Sequence, residues 1–200
     1  MTKYLYFDVE TTGLPIKKNF NSYPDICDNS KYDSSRIIQI GYGLTLDSVV
    51  SYYRKPIDFS TVDNSHIHKI TYEDIKTKGI LLSKIINNYK LKEYIQECDF
   101  IVGHNVLFDL HILGNELHRL NFTNLRDSIT KVIATKKYIC TGELGTNICK
   151  IPLYSNVYKM PKLSELYFFL FNKQDIILHD AKHDVETLIK IHQKILKNYL

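Results

Sequence analysis

The feature that most constrains the fold of this chain is a pair of acids at the end of an apolar strand. Residues 4–7 are aromatic or aliphatic, and Asp8 and Glu10 follow them two positions apart. Because side chains alternate faces along a strand, both carboxylates are expected on one face. Two such acids repel each other and resist desolvation unless something positive lies between them. A divalent cation is the simplest such partner, and the alternative is two exposed acids in a Thr-Thr-Gly turn.

The composition is that of an ordinary globular protein, with 44% hydrophobic and 24% charged residues. The chain has 200 residues, and we expect one domain over residues 1–200 with a core that needs no disulfides. No run approaches the roughly 20 apolar residues of a membrane span, and no signal-peptide pattern is present. We therefore expect a cytoplasmic or nuclear protein without a membrane partner. The formal charge of +4 is compatible with nucleic-acid binding but does not select it.

The first half of the chain predicts a three-stranded antiparallel meander. After the strand that carries Asp8, residues 36–46 and 49–54 are β-rich and are joined by a short connection at residues 47–48. Residues 15–35 between the first two strands are polar and form a long loop, which is either functional or disordered.

Strands and helices alternate in the rest of the chain. Residues 100–102 predict a buried strand, and the apolar stripe after Asn105, its expected N-cap, predicts a helix. Further helices are expected over 81–97, 124–137, 162–171 and from 181 onwards, with a strand over 138–141 and irregular structure over 142–160. This alternation indicates an α/β fold: a central mixed β-sheet, made of the meander and parallel strands, flanked by α-helices.

Acids also stand at the start of two of these helices. Asp109 lies at the edge of the apolar stripe and not on the opposite, solvated face. It is either a functional acid or simply a first-turn acid that the helix dipole stabilises. Asp184 lies in the first turn of the last helix, and His179 lies in the loop just before it. A histidine at that distance can lie over a metal ion that the aspartate binds, and the alternative is a solvated polar helix start.

Three blocks together resemble the DEDDh family of 3′-to-5′ exonucleases, which includes the proofreading subunits of replicative polymerases. They are FDVETTGL at 7–14, GHNVLFDLHIL at 103–113 and HDAKHD at 179–184, and IIQIG at 37–41 and IHKIT at 67–71 also match family positions. The family has an RNase H-like fold. Its histidine subtype has a histidine five residues before the last aspartate, where His179 stands.

The resemblance implies a metal-dependent 3′-to-5′ exonuclease that hydrolyses phosphodiester bonds at nucleic-acid 3′ ends and releases nucleoside monophosphates. Two divalent cations, Mg²⁺ or Mn²⁺, would be bound by four carboxylates, those of Asp8, Glu10, Asp109 and Asp184. His179 would accept a proton from the attacking water as general base, which predicts activity that falls below roughly pH 6.5.

The resemblance also implies contacts with the terminal nucleotide. Thr11, Thr12 and Gly13 would grip it through backbone or hydroxyl groups, and Leu14 would act as an apolar wedge beside the last base. Lys17 and Lys18 lie in the loop that follows, along the expected path of the substrate strand or simply in solvent.

Three further positions match residues that contact the substrate in similar proteins. Asn105 and Phe108 match a pair near the scissile nucleotide, and Phe108 is alternatively a core residue. His68 matches another substrate contact, and the alternative is an exposed loop histidine.

The expected partners are single-stranded nucleic-acid 3′ ends, with a DNA polymerase in trans and a homodimer as further possibilities. DNA is favoured over RNA as substrate. The alternatives are an RNA-trimming exoribonuclease and a non-catalytic module that binds 3′ ends for a polymerase.

Overall fold

The computed structural model describes residues 2–17, 22–173 and 179–199. Its strands are β1 (Tyr4–Thr11), β2 (Ile37–Gly43), β3 (Val50–Tyr53), β4 (Phe100–Gly103), β5 (Tyr138–Cys140), β6 (Pro152–Tyr154) and β7 (Val157–Tyr158). Its α-helices are α1 (Ser65–His68), α2 (Tyr72–Lys78), α3 (Leu82–Asn88), α4 (Leu91–Glu97), α5 (Val106–Arg119), α6 (Thr123–Ala134), α7 (Thr141–Cys149), α8 (Leu163–Phe171) and α9 (Ala181–Asn198).

Five strands form one mixed sheet in the order β3-β2-β1-β4-β5. The strands β1, β2 and β3 pair antiparallel, whereas β4 and β5 continue the sheet parallel to β1. This is the predicted meander joined to parallel strands, so the expected α/β architecture is confirmed. The strands β6 and β7 form a separate hairpin.

The alternation of side chains along β1 separates two cores. Leu5, Phe7 and Val9 belong to the larger cluster, which includes α3, α4, α5 and α6. Tyr6 belongs to a smaller cluster with the buried face of α9. Asp8 and Glu10 have the same parity as Tyr6, so they lie on the face of the sheet that α9 covers.

Two predictions of where helices and irregular segments lie were wrong. The expected helix over 81–97 is divided into α3 and α4, with Lys90 between them at a φ of 65°. The stretch 142–160, expected to be irregular, contains most of α7 and the β6–β7 hairpin. Its glycines allow close packing instead of marking a loop, because a Cβ on Gly145 would lie 2.8 Å from Pro161 Cγ.

Asn105 occupies the N-cap position of α5 but makes no capping hydrogen bond through its side chain. Its φ is 63°, and its backbone N–H donates to Cys140 Sγ at 3.2 Å. The predicted helix start is therefore correct, whereas the predicted cap is wrong. Within the described ranges, no helix combines the length and apolar character needed to cross a membrane.

Candidate active site

Asp8 and Glu10 lie near the carboxyl end of β1, where the strand pairs with β2. Asp8 is opposite Gly41 and Glu10 is opposite Gln39. Both acids are partly exposed, but Asp8 Oδ2 is fully buried and accepts no hydrogen bond in the described part of the chain. A buried carboxylate oxygen without a partner is costly, so this atom is available for a positively charged ligand.

Asp109 approaches the same strand from the other core. It is buried on the first turn of α5, and its Oδ1 accepts a hydrogen bond from the Val9 backbone N–H at 3.1 Å. The residue that donates this bond lies between Asp8 and Glu10 in the sequence. Asp109 is therefore held at the strand position where the two other acids project.

Asp184 comes from the first turn of α9 and is buried. Its Oδ2 accepts the backbone N–H of His179 at 3.1 Å, whereas its Oδ1 is buried without a hydrogen-bond partner among the described residues. His179 has a φ of 62° and an exposed side chain. The bond across the loop-to-helix junction therefore places the His179 backbone directly against Asp184.

Two residues of β2 place the start of α9 on the sheet. A Cβ on Gly41 would lie 2.2 Å from the Ala181 carbonyl oxygen, so only glycine permits this approach. The Gln39 side chain accepts the Ala181 N–H at 3.1 Å and donates to Asp180 Oδ2 at 3.0 Å. Asp180 also caps α9 by accepting backbone N–H groups of its first turn.

Both positioning residues lie in the block IIQIG at 37–41, which matches family positions, but the sequence assigned neither of them a role. A signal for Gln39 was present, because it is the one polar side chain in the fully buried strand β2. The role of Gly41 could not be read from its neighbours in the sequence, because the group that excludes a side chain there comes from residue 181.

Burial, and in addition the charge of nearby acids, disfavours the charged form of the four carboxylates. Burial, followed by the charges of Asp109, Asp184 and Glu10, raises the pKa of Asp8 well above its ordinary value. Burial and the neighbouring acids Asp184 and Asp180 raise the pKa of Glu10 to about 8. In the absence of a positively charged ligand, the charged form of each of these carboxylates is therefore disfavoured.

The two helix-borne acids show the same effect. Burial raises the pKa of Asp109 well above its usual range, although the Val9 N–H opposes this shift. Burial also raises the pKa of Asp184 to about 7, against the opposing hydrogen bond from the His179 backbone. None of the ion pairs in the described part of the chain involves the four carboxylates.

The donor set fits a divalent cation. Ligand atoms of Glu10, His179 and Asp184 lie within 4.8 Å of one another, and this group contains neither Asp8 nor Asp109. Carboxylate oxygens are the ligands that Mg²⁺ and Mn²⁺ prefer. A cation would compensate the repulsion and would supply a partner for the buried, unpaired oxygens of Asp8 and Asp184.

The turn after β1 is held by its own hydroxyl groups. Thr11 Oγ1 donates to the Gly13 carbonyl at 2.8 Å, and Thr12 Oγ1 donates to the Ser34 carbonyl at 3.0 Å. These two hydroxyl protons are therefore used within the chain. Leu14 extends from this turn with 72% of its surface exposed, which suits the expected apolar wedge. Lys18 lies outside the described residues.

The three other predicted substrate residues differ in their surroundings. Asn105 is exposed, and Phe108 is half-buried against the larger core. The alternative of an exposed loop histidine is wrong for His68, which is buried at the end of α1. His68 Nδ1 accepts the Ile70 N–H at 3.1 Å, and its Nε2 is buried without a hydrogen-bond partner in the described ranges.

Several solved structures, some of them of exonucleases, have the same fold. E. coli Exonuclease I, determined with a dT13 oligonucleotide, aligns with a TM-score of 0.64 and 17% identity over 99% of this chain and 41% of that chain. S. pombe Pop2p, in an Mg²⁺- and Mn²⁺-bound form, aligns with a TM-score of 0.64 and 14% identity over 99% of this chain and 84% of that chain. A 3′-exonuclease in a structure of 3′-end-specific histone mRNA stem-loop recognition aligns with a TM-score of 0.61 and 17% identity, over 98% of this chain and 64% of that chain.

At these identities the similarity concerns the fold alone, and the chain spans about 41% of the length of E. coli Exonuclease I. No curated protein matches the chain in sequence. The sequence profile of the RNase T exonuclease family matches residues 5–192. That range contains all four carboxylates and nearly the whole of the folded chain. The protein therefore belongs to the RNase T family of exonucleases, as the resemblance predicted.

Proposed function

We propose that this protein is a metal-dependent 3′-to-5′ exonuclease of the DEDDh type, which releases nucleoside monophosphates. The observation that carries the proposal is the convergence of four carboxylates with raised pKa values from β1, α5 and α9. A non-catalytic binding module has no need for such repulsion, which lowers the stability of the metal-free fold. A hydrolase that binds cations there does need the four carboxylates, because they are the ligands of the cations.

The carboxylates of Asp8, Glu10, Asp109 and Asp184 would hold two divalent cations. When bound, such ions stabilise both the attacking and the leaving oxygen of a displacement at phosphorus. The protein contributes the arrangement itself. The Val9 N–H orients Asp109, and the His179 N–H orients Asp184, so both carboxylates are positioned before a ligand arrives.

His179 is proposed as the general base. Its side chain is exposed at the junction before α9, within reach of Glu10 and Asp184. From this position the imidazole can accept a proton from a water that attacks the terminal phosphate. The imidazole must be neutral to accept this proton.

The proposed substrate is a single-stranded 3′ end, with DNA favoured over RNA. The exposed Leu14 would stand beside the last base, and the backbone of Thr11, Thr12 and Gly13 would contact the terminal nucleotide. Asn105, Phe108 and His68 are proposed as further contacts. A polymerase partner in trans and a homodimer stay predictions.

The test is the degradation of 5′-labelled single-stranded DNA and RNA of the same sequence with Mg²⁺, with Mn²⁺ or with chelator. We expect metal-dependent shortening from the 3′ end for the wild type and none for Asp8→Ala. Asp47→Ala is the matched control, because Asp47 is an exposed acid in the β2–β3 connection, at the opposite end of β1. It should retain full activity.

The ratio of DNA to RNA degradation decides between the two substrate classes. If neither strand were shortened while wild type and Asp8→Ala bound 3′ ends equally, the protein would be a binding module. Shortening of internally labelled strands into long fragments would instead indicate an endonuclease.

A further inference from the structure

The segment that follows the β6–β7 hairpin is attached to the end of the main sheet at which the carboxylates lie. β4 runs parallel to β1 and ends at Gly103. Its last residues therefore lie at the same end of the sheet as Asp8 and Glu10, the end formed by the carboxyl ends of β1 and β4. The next residue, His104, donates from Nε2 to the Pro161 carbonyl at 2.9 Å. This bond ties the segment that leaves β7 to the site edge of the sheet.

The β6–β7 hairpin exposes large apolar side chains on both of its strands. Tyr154 is 67% exposed and Tyr158 is 42% exposed, and Leu153 and Met160 are also exposed. Neither strand pairs with the main sheet. An isolated two-stranded hairpin has little stability of its own in water. Large apolar side chains that are exposed together on such a hairpin are expected to bind a partner.

The hairpin and its flanks also carry an excess of positive charge. Residues 143–165 contain the three lysines Lys150, Lys159 and Lys162 and the two acids Glu143 and Glu165. Lys159 pairs with Glu165 at 2.6 Å, whereas exposed Lys150, at the end of α7, makes no ion pair with the described residues. Exposed aromatic rings beside a lysine suit a single-stranded nucleic acid, because bases stack on the rings while ammonium groups contact phosphates.

We propose that the β6–β7 hairpin binds the substrate strand upstream of its 3′ end, through stacking of bases on Tyr154 and Tyr158 and a phosphate contact from Lys150. This inference rests on the proposed function, because it assumes that the 3′ end occupies the carboxylate site. The hairpin would slow dissociation of long strands between successive cleavage steps. A dinucleotide would be too short to reach it.

The first test measures the affinity of 5′-fluorescein oligothymidylates of roughly 4 and 16 nucleotides by anisotropy in chelator, lengths that span the usual site sizes of such surfaces. We expect the double substitution Tyr154→Ala with Tyr158→Ala to weaken binding of the longer strand by about five- to a hundredfold, with little change for the shorter. The double substitution to Phe should retain the affinity, because it keeps both rings.

Tyr199→Ala is the matched control, since Tyr199 is an exposed tyrosine just beyond the far end of α9. It should bind both strands like the wild type. Cleavage of a dinucleotide by the hairpin variants should also be unchanged, which shows that the variants are folded and that the carboxylate site is intact.

Lys150→Ala gives a separate readout. Loss of one phosphate contact should reduce the slope of log affinity against log salt concentration by about 0.7 for a single strand. Lys92→Ala, which removes an exposed lysine of α4, should leave the slope unchanged.

Normal binding of the longer strand by the Ala double variant, with the wild type still shortening that strand, would overturn this inference alone. If the wild type neither bound nor shortened any strand, the proposed function would fail and the hairpin inference with it. A change in sedimentation of the Ala double variant from dimer to monomer, at unchanged affinity, would assign the hairpin to contacts between copies and would also overturn the inference.

Discussion

The Asp109 carboxylate accepts a hydrogen bond from the Val9 backbone N–H at 3.1 Å. Pairing between β1 and β4 reaches only Tyr6, so the β4-side edge of β1 has no strand partner at Val9 in the described part of the chain. A side chain from α5 takes the place of the missing strand. This bond fixes α5, which packs in the larger core, against β1 at the point where the acids of β1 project.

Substitution of Asp109 separates its two roles. Asp109→Asn and Asp109→Ala both remove a proposed metal ligand, and each should reduce cleavage by about 10³-fold or more, since such ions contribute several kcal/mol to the rate. Only Asp109→Ala also leaves the buried Val9 N–H without an acceptor. Urea unfolding in chelator should therefore show Asp109→Ala to be less stable than Asp109→Asn by about 1–3 kcal/mol. Equal stability of the two variants would contradict this role of the hydrogen bond.

The stability of the metal-free protein should fall as pH rises. The folded-state pKa values of Glu10, about 8, and Asp184, about 7, lie above those of the unfolded chain. A carboxyl whose pKa is raised by folding stabilises the fold fully below its unfolded pKa and loses that contribution as pH rises through its folded pKa. The free energy of unfolding in chelator should therefore decrease between about pH 4 and pH 8.

Two comparisons check the source of this pH dependence. Glu10→Gln should flatten the decrease, and saturating Mg²⁺ should raise the melting temperature more at pH 8 than at pH 5, because protons compete with the cation. If Mg²⁺ raised the melting temperature equally at both pH values, the carboxylate cluster would not be the origin of the pH dependence of stability.

A methyl group at Gly41 should displace α9. The added Cβ would lie 2.2 Å from the Ala181 carbonyl oxygen. Because this oxygen belongs to the backbone of α9, the clash can be relieved only by a shift of the helix that carries Asp184. We expect Gly41→Ala to lose about 1–3 kcal/mol of stability, as other overpacked sites do. It should also lose most of its activity, because displacement of a reacting group by about 1 Å can cost a hundredfold in rate.

Gly114→Ala is the control for this substitution. Its Cβ would meet only the Ile26 side chain, with the nearest atom at 3.1 Å, and alanine favours the helical state. Activity should be retained in this variant. Retained activity in Gly41→Ala would show that the position of α9 tolerates a shift.

A buried charge cluster supports the turn that carries Thr12. Arg36 donates from Nε and Nη2 to Glu116 at 2.9 and 3.0 Å, and Arg54 Nη2 donates to the same carboxylate at 3.2 Å. Asp58 contacts both guanidinium groups. The backbone of Arg36 in turn exchanges hydrogen bonds with Thr12.

Glu116→Gln should destabilise the protein by about 3–5 kcal/mol, because it leaves two buried guanidinium groups with one carboxylate. Glu97→Gln removes the partner of an exposed ion pair with Lys3 and should change stability by less than about 1 kcal/mol. Thermal or urea unfolding measures both. Similar losses in the two variants would show that the cluster is not charge-paired as described.

The sequence by itself determined the α/β class, the meander and the positions of the four acids and His179 relative to the start and end of their elements. These features follow from periods of two and 3.6 residues and from the acids at helix starts, such as Asp109 and Asp184. Such signals depend on neighbours within a few positions, so they can be read locally. The division of 81–97 into two helices was missed because both halves follow a helical period.

Only the tertiary structure decided how the acids meet. The Val9–Asp109 bond joins residues 100 positions apart, and the Gln39–Asp180 bond joins residues 141 apart. The close approach that Gly41 permits, the cluster around Glu116 and the place of the β6–β7 hairpin likewise depend on segments that are distant in the chain. The physical reason is that packing distances and burial arise from the whole fold, and the raised pKa values of the carboxylates arise from that burial.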